Sequence, residues 1–187
     1  MNLAQQKETL RRQVGRQTET LSEEYLRQSD EAILSLLCAE AALQKAKVVF
    51  SYVSVGREPD TRRFIEALLA EGKTVCVPRC HRGGVMHSCS ITGFAQLLPA
   101  RYGLLEPAAE TPITDPAQIE LVVAPCVAAD RRGGRLGHGA GYYDRFLTKT
   151  TCPVFCLCRG VLLQQEIPMG PYDRRMDLVI TEAGVFP

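Results

Sequence analysis

The hydrophobic pattern changes character once along the chain. From Ser22 to Lys45 the apolar positions Leu26, Ile33, Leu34, Leu37 and Ala41 recur at helical spacing, with charge on the other side, which predicts one long amphipathic helix. Together with the polar, charged stretch before it, residues 1–46 read as a helical N-terminal segment. Beyond it the apolar residues gather into short runs: Val48 to Val53, Thr74 to Val77, Leu121 to Ala124, Val154 to Cys158 and Leu178 to Thr181. Runs of that length predict strands buried on both faces. Between the first two, Asp60 or Thr61 can cap a helix carrying Phe64, Ile65, Leu68 and Leu69 on one stripe, with Gly72 as its stop. A second helix follows Gly141, through Tyr142, Tyr143, Phe146 and Leu147. The alternation predicts a three-layer α/β/α fold with a mostly parallel, Rossmann-like sheet, in a single domain spanning residues 1–187. HRGGVMHSCSIT reads as a hairpin or edge strand, and the prolines at 99, 107, 112 and 116 make 99–118 irregular.

Charge and composition narrow the function. Lys and Arg number 22 against 21 Asp and Glu, for a net charge of +1, which argues against backbone-driven nucleic-acid binding. No secretory h-region and no eighteen-residue apolar run is visible, so a cytoplasmic protein with no membrane span is expected. Eight cysteines are then thiols. Cys76, Cys80, His81, His87 and Cys89 fall within fourteen residues, but no CxxC pair accompanies them, so zinc is disfavoured; Cys156 and Cys158, at period two, read as one face of a buried strand.

The chemistry is concentrated in DRRGGRLGHGAGYYD, residues 130–144, directly after the strand LVVAP. Its five glycines allow close backbone approach, so that successive N–H groups can converge on phosphate oxygens. Arg131, Arg132 and Arg135 add charge-assisted donors, and Asp144 is a hard oxygen ligand suited to Mg2+. The loop is neither a Walker A sequence, since no Lys-Ser/Thr follows its glycines, nor a dinucleotide fingerprint, since Gly137, Gly139 and Gly141 are evenly spaced and late in the chain.

RLGHGAGYYDRFL, from Arg135 to Leu147, resembles the hallmark of the 5-formyltetrahydrofolate cyclo-ligase family. KETLRRQ looks like that family's Lys-x-x-x-Arg opening, SYVSVGREPDTRRFIEALLAEGKTVCVPR like its Glu-x-x-Thr and Gly-Lys block, and YDRRMDLVITEAGVF like its C-terminal end. The resemblance implies ATP- and Mg2+-dependent cyclisation of 5-formyltetrahydrofolate to 5,10-methenyltetrahydrofolate with release of ADP and phosphate. It places Lys7, Arg11, Arg135, Gly137, His138, Gly139, Gly141, Tyr142 and Tyr143 at ATP, with Arg135 and Tyr142 acting at the transferring group. It sets Val53, Glu58, Tyr102 and Tyr142 at the reduced folate, and Asp144 with Asp177 at Mg2+. Reduced folate and ATP are the expected partners of a monomer or small homo-oligomer. Some positions depart from the pattern: His138 and Ala140 in the loop, Cys126 and Ala129 before it, and Arg159, where a small or apolar residue is expected. A related ATP-dependent enzyme with a non-folate substrate, and a catalytically silent nucleotide- or folate-binding regulator, are the alternatives.

Overall fold

The computed structural model describes residues 1–187, the side chain of Tyr102 excepted. Helix α1, Leu3–Glu19, starts in a reciprocal cap: Gln5 N–H donates to Asn2 Oδ1 at 2.9 Å and Asn2 N–H to Gln5 Oε1 at 3.0 Å. Helix α2, Glu23–Ala39, begins at Ser22, whose hydroxyl accepts from Tyr25 N–H. The long helix expected to run to Lys45 breaks at Glu40 (φ −68°, ψ 124°) and resumes as α3, Ala41–Lys45. The break turns Leu43 and Ala46 inward beside Ile33 and Leu37. The carbonyls freed at the end of α3 are taken by the Lys73 ammonium, which donates to Leu43, Gln44 and Ala46 oxygens at 2.7–3.1 Å.

Along the rest of the chain lie β1 (Val48–Ser51), α4 (Arg62–Ala70), β2 (Thr74–Cys80), β3 (Met86–Ile91), β4 (Leu97–Pro99), β5 (Leu105–Pro107), β6 (Ile113–Thr114), β7 (Leu121–Ala124), β8 (Ala128–Ala129), β9 (Arg135–Leu136), α5 (Tyr142–Leu147), β10 (Val154–Leu157), β11 (Leu178–Thr181) and β12 (Gly184–Phe186). Eight strands form one sheet in the order β12-β11-β10-β7-β1-β2-β3-β6. The five expected strands are its parallel centre, and β12, β3 and β6 add antiparallel edges. The hairpin read in HRGGVMHSCSIT is β2 pairing with β3. Residues 99–118 are less irregular than expected: β4 and β5 pair as a small ribbon, and β6 joins the main sheet.

Alternation along the central strands feeds two cores. Phe50, Cys76, Val122, Ala124, Val154, Cys156 and Val179 face α1 and α5, while Val49, Val75, Leu121, Val123, Phe155, Leu157 and Ile180 face α2, α3 and α4. Cys156 and Cys158 lie in the first core together, so there the thiols act as small apolar side chains. The connection from β10 to β11 has no α-helix of its own. Its Leu162, Ile167 and Met176 pack in the α1/α5 core, with α1 beside them through Val14 and Leu10. Among the described residues, no helix is long and apolar enough to cross a membrane.

Candidate active site

From β1 the chain crosses through α4 to β2 on one side; from β7 it crosses through α5 to β10 on the other. The direction of winding therefore reverses between β1 and β7, and a crevice opens beyond their carboxyl ends, where doubly wound sheets bind ligands. The loops after these two strands are its walls.

The β1–α4 loop is held by its own polar groups. Thr61 Oγ1 donates to Tyr52 O at 2.7 Å and accepts from Ser54 N–H at 3.0 Å, Thr61 N–H returns a bond to Ser54 Oγ, and Tyr52 Oη donates to Pro59 O at 2.8 Å. Within that frame Glu58 Oε2 accepts from Val55 N–H at 3.0 Å, leaving Oε1 directed at His138 Nε2, 3.5 Å away. Glu58 thus lies where the two walls meet. A cavity of about 550 Å³ opens beside it, lined also by Ser54, Val55, Asp30, Arg159 and Gly103. Val53 is buried in the α2/α4 core behind this wall. The turn holding Tyr102 borders the cavity through Gly103; the Tyr102 side chain lies outside the described residues.

The glycine loop has two halves with different tasks. Residues 128–136 form a ribbon, β8 against β9, closed around Asp130. Its carboxylate accepts from Arg132, Gly134 and Ile167 N–H groups at 2.7–2.9 Å. Burial pushes the Asp130 carboxyl up, but these three donors outweigh it and hold it below the ordinary range. Gly133 (φ +78°) and Gly134 answer to packing: a Cβ would stand 2.4 Å from Met176 O at the first and 2.3 Å from Asp130 Oδ2 at the second. The second half, Gly137 to Tyr142, is open, and Gly139 (φ +100°) and Gly141 (φ +68°) turn it back into α5. Among the described residues, no protein group accepts from the main-chain N–H groups of Gly137 to Asp144. They are free for an anion.

Of the three arginines expected at that anion, one turns toward the crevice. Arg131 stacks over Phe186 at 4.8 Å, and Arg132 pairs with Glu166 at 3.1 Å. Both leave with the ribbon. Arg135, its side chain 4% exposed, turns into the crevice, where it donates to Pro125 O at 3.2 Å and Asp144 Oδ1 at 2.9 Å and lies 5.4 Å over the Tyr143 ring. Its Nε and the Tyr143 hydroxyl are buried without a partner among the described residues. Burial, with the Glu58 and Cys80 charges beside it, raises the Tyr143 phenol well above its usual range against the opposing pull of Arg135, so it stays a donor. Neither group finds an acceptor within the described residues, which marks both as groups whose hydrogen bonding the fold leaves incomplete.

The remaining residues assemble around this pair. From α1, Arg11 Nε donates to Gly137 O at 2.8 Å, and Lys7 pairs with Asp173. Burial raises the Asp173 carboxyl, but Lys7, Gly170 N–H and the Arg135 charge together hold it below the ordinary range. Tyr142 Oη donates to His81 O at 3.0 Å, tying α5 to the turn between β2 and β3. Arg145, absent from the sequence reading, ties the same elements by donating to Gly84 O and Ala140 O.

Asp177 does not join the site. It stands before β11, where Oδ2 accepts from Val154 N–H at 2.8 Å, at the amino-terminal edge of the parallel strands and opposite the crevice. The carboxylate that does approach is Asp173, four residues earlier. The cysteines of the Cys76–Cys89 cluster are separated, Cys76 and Cys80 facing the α1/α5 core and Cys89 in register with Val77 of the other face, while the His81 and His87 rings stay 4.7 Å apart; no group of three metal-binding side chains occurs among the described residues.

Comparison with known proteins shows the family and the fold. The family model of the 5-formyltetrahydrofolate cyclo-ligase family matches residues 3–182. A probable 5-formyltetrahydrofolate cyclo-ligase of Schizosaccharomyces pombe is 31% identical over 155 residues, covering 74% of this chain and 76% of that one. The 5-formyltetrahydrofolate cyclo-ligase of Mycolicibacterium smegmatis is 34% identical over 142 residues, covering 72% and 73%. The NMR structure of 5,10-methenyltetrahydrofolate synthetase from Aquifex aeolicus superposes with a TM-score of 0.86 at 28% identity, over 96% of this chain and 91% of that one. With a match along almost its whole length and the same fold in a solved relative, the chain belongs to the 5-formyltetrahydrofolate cyclo-ligase family.

Proposed function

We propose that the protein catalyses the ATP-dependent cyclisation of 5-formyltetrahydrofolate to 5,10-methenyltetrahydrofolate, releasing ADP and phosphate. One observation carries this reading. The free N–H run from Gly137 to Asp144, flanked by Arg11 and Arg135, meets Glu58 and its cavity across the 3.5 Å His138 contact. An anion cradle and a carboxylate-bearing pocket on opposite walls of one crevice suit a triphosphate and a pterin brought face to face.

Lys7, Arg11 and the N–H run would hold the triphosphate, with Gly139 and Gly141 letting the backbone approach it. The Tyr142 and Tyr143 rings would wall the space between nucleotide and folate. Glu58 Oε1 would accept paired N–H donors from the pterin, with Val53 behind it and Tyr102 at the cavity's rim. An N5-formyl oxygen is amide-like and leaves poorly. Transfer of the γ-phosphoryl group to that oxygen makes it a leaving group, N10 attacks the formyl carbon, and phosphate departs. Arg135 Nε and the Tyr143 hydroxyl, both without a partner, would donate to the charge that develops on the transferring oxygens.

The donor set fits Mg2+ carried by the nucleotide. Mg2+ is commonly held by one or two protein carboxylates plus phosphate oxygens, and Asp144, partly exposed beside Arg135, with Asp173 near the same guanidinium, offers that pattern. When bound, the ion would neutralise charge on the β- and γ-phosphates. The purified protein given Mg-ATP and 5-formyltetrahydrofolate is expected to form the methenyl product, followed by its absorbance, with one ADP per turnover. Absence of product with fully reduced substrate overturns the proposal.

A further inference from the structure

We propose that Arg159 is a positioning residue for the folate half of the site: it fixes the turn that presents Glu58. The inference rests on the reading of Glu58 as the pterin acceptor. Arg159 follows β10, far from Glu58 in sequence, and its side chain is 1% exposed. A guanidinium has five N–H donors in a fixed plane, and here five acceptors meet it. Nε donates to Arg57 O at 3.0 Å. Nη2 donates to Glu58 O at 3.0 Å and forms an ion pair with Asp30 Oδ1 at 2.9 Å, and Nη1 donates to Leu26 O at 3.2 Å and to Ser29 Oγ.

The acceptors divide into two groups. Leu26, Ser29 and Asp30 belong to one turn of α2, whereas Arg57 and Glu58 offer consecutive carbonyls in the β1–α4 loop. Arg159 therefore clamps that loop to a helix, and it does so at the main chain of the residue whose carboxylate faces the crevice. Asp30 Oδ1 also accepts from Asp60 N–H at 3.1 Å, extending the clamp to the far side of the same loop. Arg159 and Asp30 both line the cavity beside Glu58, so the clamp forms part of its wall. A buried cation with one carboxylate partner and four donated hydrogen bonds specifies a geometry, because a shift of the loop leaves buried polar groups unpaired. The apolar residue expected at this position could not hold the turn in this way.

Among the described residues the nucleotide half meets the clamped loop through His138 and the Glu58 carboxylate, with no hydrogen bond or ion pair to Arg159 or Asp30, which allows a discriminating test. Arg159→Met, Arg159→Lys and Asp30→Ala are compared with wild type for KM and kcat toward 5-formyltetrahydrofolate, for equilibrium binding of Mg2+ with a non-hydrolysable ATP analogue, and for thermal melting. Removing the clamp is expected to raise the folate KM about tenfold, the effect of one well-placed hydrogen bond. The value of kcat should change much less, and nucleotide affinity should stay as in wild type. Lysine, with three donors and no fork, restores part of the affinity. Should Arg159→Met fail to fold, Arg159→Lys and the rim variant Asp30→Ala decide. An unchanged folate KM in folded variants, or loss of folate and nucleotide binding together, overturns the inference. Wild-type protein that neither binds nor converts 5-formyltetrahydrofolate overturns the substrate reading beneath it, an outcome separable because it needs no variant.

Discussion

At the scale of single residues, the site depends on where a few charges are left uncompensated. Arg135 keeps one donor unpartnered among the described residues although its guanidinium is buried, and the carboxylate it does bind, Asp144, is the one proposed above for Mg2+. Arg135→Lys retains the charge but loses the fork that reaches Pro125 O and Asp144 together. We expect kcat to fall by about a hundredfold or more, as when one preorganised donor to a developing oxyanion is removed. The melting temperature should move little, since Arg135 binds a loop carbonyl and a partly exposed acid at the crevice rim; a steady-state assay beside a thermal melt checks both. Asp144→Asn should raise the Mg2+ concentration giving half-maximal rate, and Asp177→Asn should not. That pair of variants also tests what the sequence conceals. Asp173 and Asp177 are similar acids four residues apart, and no periodicity separates them. Only the path of the β10–β11 connection brings one to Lys7 and Arg135 and leaves the other on Val154. The arginines were misread for a related reason: three in one glycine loop look equivalent until the β8–β9 ribbon turns two of them outward.

Whole elements were more legible than their ends. The five parallel strands fall where the apolar runs stand, because a strand covered on both faces must be apolar at nearly every position. The single helix expected from Ser22 to Lys45 is two, since a continued 3.6-residue stripe does not reveal a break that directs Leu43 and Ala46 inward. The antiparallel pieces within 99–118 are three residues or fewer and carry no usable period. The glycine loop, read from the sequence as one anion-binding stretch, has two halves in the structure, and the difference is measurable. Gly134→Ala places a methyl against the Asp130 carboxylate that ties the ribbon, and should destabilise the protein by about 1–3 kcal/mol, as overpacking does. Gly139→Ala, in the open half, meets only the flexible end of Arg11 and carries the strain of positive φ. Its expected signature is weaker nucleotide affinity with a smaller change in stability. Denaturant unfolding and nucleotide titration of the two variants should therefore rank them in opposite order; equal ranking would mean that the loop acts as one unit.

Over the whole molecule, the connection from β10 to β11, which has no α-helix of its own, is tied to its surroundings by carboxylates. Asp130 binds it through Ile167 N–H, and Asp173, within it, binds α1 through Lys7. Burial raises both carboxyls, but backbone donors at each, Lys7 at Asp173 and nearby arginine charges bring both below the ordinary value. A carboxyl lower in the folded than in the unfolded chain contributes stability that is complete above its unfolded value, near pH 4, and is lost as pH falls through the folded one. Acid should therefore loosen the connection and α1 first, while the sheet between the two cores persists. Hydrogen exchange measured from pH 6 down to about pH 3 should show protection falling earlier over residues 160–176 and in α1 than in β1, β7 and β10, whose side chains carry no ionisable acid. Asp130→Asn, which keeps an acceptor oxygen but not the charge, should lower stability at neutral pH and flatten part of its acid dependence. If exchange rises uniformly through the molecule, these two carboxylates are not what holds the β10–β11 connection and α1 to the sheet.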